Sequence, residues 1–255
     1  MTVPLPERLR LRYSKQGRIR FTSQRDTARV WERLLYQCDI PLRYSEGFSP
    51  HPLLAFGNAL PTGAASLAEY IDMRLDANEV RTKGRFSVGS STTTEALSEL
   101  RSILNERTPE GIICDALGVL DGSEKSLQEA VACVRWEIVV AGIRPQDLED
   151  RLQRALDAPV LELARERKGK PVTDDIRGNI ESLTQIDEMT LAAELATLTR
   201  GVRPMELLTV VDPALTLVRA TRTHQWISGD SGRIEPLKHG ELATTSRLAT
   251  TSVAS

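Results

Sequence analysis

The sequence predicts an α+β protein built from two tandem β-α-β-β-α-β sandwiches followed by a disordered C-terminal tail. Three observations predict it. Strand-like and helix-like apolar periodicities alternate in the same order twice. A Gly/Ser turn at Asp121 to Ser123 separates the two runs. The 255 residues, 40% of them hydrophobic, suffice for two units with proper cores of their own. The predicted organisation is a first unit over 1–122, a second over 123–227 and the tail over 228–255.

In the first unit, Leu9 to Tyr13 and Ile19 to Thr22 read as a basic β-hairpin around a Lys15-Gln16-Gly17 turn. Ser23-Gln24-Arg25-Asp26 fits a capping box, and Ala28, Trp31, Leu34, Leu35 and Cys38 then recur on one helical face. Leu53 to Asn58 and Ala68 to Leu75 read as strands flanking the Pro61-Thr62-Gly63 turn. A polar surface connection over 77–92 leads to a second capping box, Thr92-Thr93-Thr94-Glu95, whose helix buries Leu97, Leu100, Ile103 and Leu104. Ile112 to Leu120 closes the unit as a strand.

The second unit repeats the order. Val131 to Val140 is a predicted strand, Pro145 to Leu156 a helix and Val160 to Arg165 a strand. Val172 to Leu183 and Met189 to Leu198 read as a hairpin, Pro204 suits the first turn of a short helix, and Leu215 to Arg222 is the last strand. Each unit thus has the ferredoxin-like order. From Ser228 the chain is polar, with Thr/Ser/Ala runs, which predicts disorder.

With 33 basic and 35 acidic side chains the formal charge is −2, so no whole-chain field draws it to nucleic acid or membrane. The first fifty residues nevertheless carry ten Arg and Lys against five acids. No apolar leader follows Met1, and no stretch approaches the ~20 apolar residues that span a bilayer, which predicts a cytoplasmic protein. Cys38, Cys114 and Cys133 lie far apart among apolar neighbours, as suits buried thiols. Without a CxxC, and with His51, His224 and His239 as the histidines, neither metal nor cofactor is expected.

The densest group of unusual residues is Tyr44-Ser45-Glu46-Gly47-Phe48-Ser49-Pro50-His51-Pro52. One glycine and two prolines around aromatics and a histidine make a rigid irregular loop, which can hold a ligand with little entropy loss. It can equally be a crossover with Phe48 plugging the core. His51, Tyr44 and Asp26 are the candidates for acid, base or nucleophile, although Asp26 most simply caps its helix. Arg25 stands at the start of that helix, where anions are favoured, and with Arg18, Arg20 and Arg29 it forms either a phosphate-binding face or a solvated edge. Glu69 and Asp72, three apart on a strand, point to opposite faces; one of them is placed to answer an arginine of the hairpin. Arg165, Arg167, Lys168 and Lys170 make a secondary basic turn, read as a phosphate contact or a solvated hairpin tip.

Arg18 to Ser23 with Arg25-Asp26, the Tyr44 to Pro52 loop, Leu60-Pro61-Thr62-Gly63 and Glu69-Tyr70-Ile71-Asp72 together resemble the radical-SAM-linked bacterial family of a domain of unknown function. Arg165 to Lys170, Asp175-Ile176-Arg177 and Val202-Arg203-Pro204 agree with it by their order, so that the resemblance covers roughly residues 8 to 225. Gln24 stands where the family usually has His. The resemblance implies association with a radical-SAM protein and no established catalytic residues. The chain itself lacks the CxxxCxxC that would hold such a cluster. An accessory module that binds RNA or an RNA-containing particle is therefore expected. An RNA-modifying or RNA-processing enzyme using the loop, and a pure protein-interaction subunit, stand beside it.

Overall fold

A computed structural model describes residues 7–76, 93–120, 125–167, 169–197, 200–229, 232–238 and 240–243. Strand β1 (Arg8–Lys15) lies between β3 (Ala65–Arg74) and β4 (Ile112–Val119), antiparallel to both. The short β2 (Leu54–Phe56) pairs with the C-terminal part of β3. Period-two alternation sends Leu9, Leu11 and Tyr13 to one face of β1. There they pack on Trp31, Leu34 and Leu35 of α1 (Gln24–Gln37) and on Leu97, Leu100 and Leu104 of α2 (Thr93–Asn105).

In the second half, β5 (Val131–Ala141) follows a single helical turn, α3 (Leu127–Ala130). It precedes α4 (Pro145–Asp157), whose Leu148, Leu152 and Ala155 face the core. A separate hairpin, β6 (Glu162–Arg167) with β7 (Lys170–Asp175), comes before β8 (Ile180–Asp187) and β9 (Thr190–Ala196). Helix α5 (Pro204–Val211) then leads into β10 (Thr216–Gly229). The strand order is β10-β5-β9-β8, each neighbour antiparallel to the next.

The N-terminal part of β3 pairs in parallel with β10 at Ala65 and Ser66, opposite Thr221 and Arg222. That pairing makes one mixed sheet of ten strands from both halves. Helices and sheet together give a mixed α/β architecture.

Three expectations change. Residues 19–22 form no strand: Gly17–Phe21 is a 3-10 helix. Both edges of β1 are already taken by β3 and β4, so this segment has no ladder to join. The strand expected over 172–183 breaks at a 3-10 turn, Arg177–Asn179, because the Asp175 carboxylate accepts from the Leu161 and Arg177 N–H groups and closes the β6–β7 hairpin there. Finally, the chain is ordered past Ser228. β10 runs to Gly229, β11 (Gly232–Ile234) folds back on it, and β12 (Leu242–Ala243) pairs with β4. The connection over 77–92 and residues 244–255 lie outside the described residues.

This C-terminal segment explains the two arginines of β1 that alternate with the core residues. Arg10 and Arg12 are 1% and 3% exposed. Arg10 makes a bidentate pair with Asp72 at 2.7 and 2.8 Å. Arg12 donates to Glu235 at 2.9 Å and to the Leu237 carbonyl at 3.1 Å, and pairs with Asp115 at 3.3 Å. Leu237 completes a small apolar cluster with Ala68, Tyr70, Ala116 and Leu127.

Candidate functional site

At the Lys15 end of β1, the 3-10 helix is pinned from two sides. Lys15 Nζ donates to the Thr22 carbonyl at 2.8 Å, and the Gly63 N–H donates to the Arg20 carbonyl at 2.9 Å. Gly63 sits at φ +91°, a conformation that favours glycine, and this lets the Pro61-Thr62-Gly63 turn close against Phe21. Helix α1 begins immediately after: Ser23 Oγ accepts from the Asp26 N–H at 3.1 Å and donates to the Asp26 carboxylate at 2.7 Å. The Ser23 bond, aided by the Arg29 and Arg25 charges, holds the Asp26 carboxyl below its usual range. Asp26 is thus occupied as a capping partner. Arg18 and Arg25 are exposed and Arg20 is half-buried over the Phe21 ring, all at this end of the sheet. Arg29 lies one turn further along α1, 3.4 Å from Asp26, beside a shallow hollow shared with Arg33 and Arg107.

The Tyr44 to Pro52 loop is elsewhere. It springs from the Arg74 end of β3, where Arg43 N–H bonds the Arg74 carbonyl and Leu42 bridges Leu75. Ten residues of strand, about 30 Å, separate that end from the arginines around Arg20. The loop is tied to itself. Tyr44 bridges Pro52, Ser45 N–H donates to the His51 carbonyl at 2.9 Å, and Ser45 Oγ lies 3.0 Å from His51 Nδ1. Gly47 takes φ +121° at the tip. Phe48 is 109% exposed, so it does not plug the core, and Tyr44, Ser49, Pro50 and His51 are also exposed. Asp26 is at the far end of β3 from His51 and Tyr44, so the three candidate chemical groups do not converge.

The largest concavity forms where the two halves meet, a cleft of about 940 Å³. One wall is the Asn58 to Ala64 segment with Gln24; the other is Arg200 to Met205 and the start of β10. Arg200, Arg203, Arg219 and Arg222 line it, with no carboxylate among the lining residues. The ladder between β10 and β5 slips between Leu217 and Arg219, and this bulge leaves Val218 and Arg219 both exposed instead of alternating. Helices α1 and α5 start at Gln24 and Pro204, so two positive helix ends border the same space. Glu206 holds the second wall in place, accepting from the Arg203 N–H at 2.9 Å and pairing with Arg200 at 2.6 Å.

Beneath the cleft, Arg222 is 2% exposed and donates to the Asn58 and Ala59 carbonyls at 2.8 and 3.1 Å. Its guanidinium lies over the Trp136 ring at 5.1 Å and 3.3 Å from Glu69. Burial pushes the Glu69 carboxyl up, against the pull of Arg222 and Lys15. Burial likewise pulls the Lys15 ammonium down, with Glu69 opposing.

The sequence did not single out Trp136, Arg200, Arg219 or Arg222. The available signal was the pair of segments Leu60-Pro61-Thr62-Gly63 and Val202-Arg203-Pro204, which stand on opposite walls of the cleft. In the secondary basic turn, Arg165 pairs with Asp174 and Lys170 is exposed, while Lys168 and the side chain of Arg167 lie outside the described residues. Among the described residues no group of three His, Cys, Asp or Glu could hold a metal ion, and no helix is long and apolar enough to cross a membrane.

The family described as "Uncharacterized protein conserved in bacteria" (DUF2344) matches residues 8–205, and the chain belongs to it. No curated protein matches the chain in sequence. A chain of the solved structure described as "Crystal Structure of a Cbf5-Nop10-Gar1 Complex" is similar over 85% of this chain at 8% identity, with a TM-score of 0.41. The present chain spans 48% of that one.

Proposed function

We propose that this member of the bacterial family is a noncatalytic recognition module that binds RNA through the cleft between its halves. The observation that carries the reading is the lining itself: four arginines without a carboxylate, bordered by two helix N-termini. Such a surface attracts phosphates and fixes their position. A fold of two ferredoxin-like sandwiches joined edge to edge agrees with it, supported by the repeated strand orders β4-β1-β3-β2 and β10-β5-β9-β8. Arg18 and Arg25, exposed at the same end of the sheet, extend the basic surface beyond the cleft.

Binding of a fluorescent RNA is expected to weaken steeply with salt. Changing Arg203 and Arg219 to Ala should lower affinity and reduce the slope of log K against log salt by roughly 1.4, the value for two phosphate contacts on a single strand. Affinity no better than that of an acidic control protein overturns the reading.

A second reading concerns the loop and is favoured by the full exposure of Phe48 on a self-tied scaffold. It is a contact for a partner protein, and the resemblance to radical-SAM-linked proteins names the class. A nuclease-resistant pull-down of a radical-SAM protein, lost on Phe48→Ala, is expected; retention after replacement of the whole loop counts against it.

A further inference from the structure

Resting on the RNA reading, we infer that the cleft is a nucleotide-sized pocket, taking a single unpaired nucleoside phosphate with the phosphate held by Arg203 and Arg219. Size comes first. About 940 Å³ is the scale of small-molecule pockets, large enough for one nucleotide and its immediate neighbours. A base-paired RNA helix is instead recognised across the outside of its shallow groove and cannot enter a pocket of this size.

Charge is distributed to suit one end of such a ligand. Two of the four arginines are already committed, Arg222 to Glu69 and two carbonyls, and Arg200 to Glu206. Arg203 and Arg219 are exposed and, among the described residues, have no carboxylate partner. They reach the cleft from two different elements, Arg203 from the residue before α5 and Arg219 from the bulge in β10. A doubly anionic phosphate can bridge such a pair, because each guanidinium offers a fork of donors.

The rest of the lining suits a base. Leu60, Met205 and Val218 give apolar surface, and the amides of Gln24, Asn58 and Gln128 stand among them. Gln128 is turned by its bond to the Phe56 carbonyl at 3.3 Å, which leaves its side-chain oxygen as an acceptor. Flat apolar contact with a few amide edges is how unpaired bases are read. The floor is fixed: Trp136 is 3% exposed and packed under Arg222, so occupancy of the cleft changes the surroundings of this indole without needing it to move.

The test follows the Trp136 indole N–H resonance, identified by its loss in Trp136→Phe, in the full chain. Three ligands are added separately: a nucleoside monophosphate, a short single-stranded RNA and an RNA duplex. Expected is a saturable shift with the first two and none with the duplex, weakened about tenfold or more by Arg219→Ala, as fits loss of one charge-assisted bond. Arg219→Lys should recover part of the loss. Both substituted positions are exposed, and an unchanged melting temperature excludes misfolding. A shift with the monophosphate but not with single-stranded RNA sustains the pocket, assigns it to a free nucleotide and sinks the RNA reading. RNA binding without any Trp136 shift, or equal binding of duplex, overturns the pocket while leaving RNA recognition in place. No shift with any ligand overturns it outright.

Discussion

Arg10 and Asp72 illustrate how a charge pair can be indispensable without being a source of net stability. Both lie within the sheet, joined by two short bonds, and neither has water to fall back on. Asp72→Ala leaves an uncompensated buried guanidinium and is expected to cost about 3 to 5 kcal/mol, whereas replacing both by apolar residues of similar volume should cost far less. Urea unfolding of the single and double variants measures the difference. Glu69 raises a pH question. Its carboxyl is raised in the folded protein, so the contribution of that group is fully present below the unfolded value of about 4.3 and is lost as pH rises through the folded value. The stability of the wild type relative to Glu69→Gln should therefore decline as pH is raised from about 4 through that higher value. A difference that stays flat over this range, or grows, would show that pairing with Arg222 outweighs the burial of Glu69.

At the level of elements, the helices were legible because their signals are local. Ser23 accepts from the Asp26 N–H as the capping pattern requires, and Trp31, Leu34 and Leu35 are buried at the spacing that marks one helical face. Removing the cap with Ser23→Ala should cost about 1 kcal/mol. The 3-10 helix and the C-terminal strands were not legible, because long-range partners decide them. Arginines alternating with Leu9 and Leu11 look like a solvated edge until Glu235 and the Leu237 carbonyl, more than two hundred residues away, are placed over Arg12. The same holds for the cleft. Its Arg203 and Arg219 are unremarkable in isolation, and only the β10 bulge and the start of α5 bring them to one space. Leu237 tests the C-terminal segment directly. At 1% exposure its truncation to Ala is expected to destabilise by about 2 to 5 kcal/mol. A cost within about 0.5 kcal/mol, typical of surface sites, would return this segment to the status of a loose tail.

On the scale of the whole molecule, the decisive feature is that the cleft has no existence in either half alone. Its walls come from Asn58 to Ala64 on one side and Arg200 to Met205 on the other, and its floor from Arg222, which bonds across to Asn58 and Ala59. The parallel pairing of β3 with β10 is short, two residue pairs, but it is reinforced by the buried Glu69–Arg222 pair and by Gln225 donating to the Ala68 carbonyl. Each of these would leave a buried polar group unpaired if the halves separated. The halves should therefore unfold together. Trp31 reports on the first half, and Trp136 and Trp226 on the second. Chains retaining only Trp31, or only Trp136, are expected to give coincident denaturant transitions. Arg222→Met removes the pair, both carbonyl bonds and the floor of the cleft at once, and should split the two transitions while weakening ligand binding. If Arg222→Met leaves the transitions coincident, β-pairing and the apolar contacts around Leu60 and Ala64 carry the junction, and Arg222 serves the cleft alone.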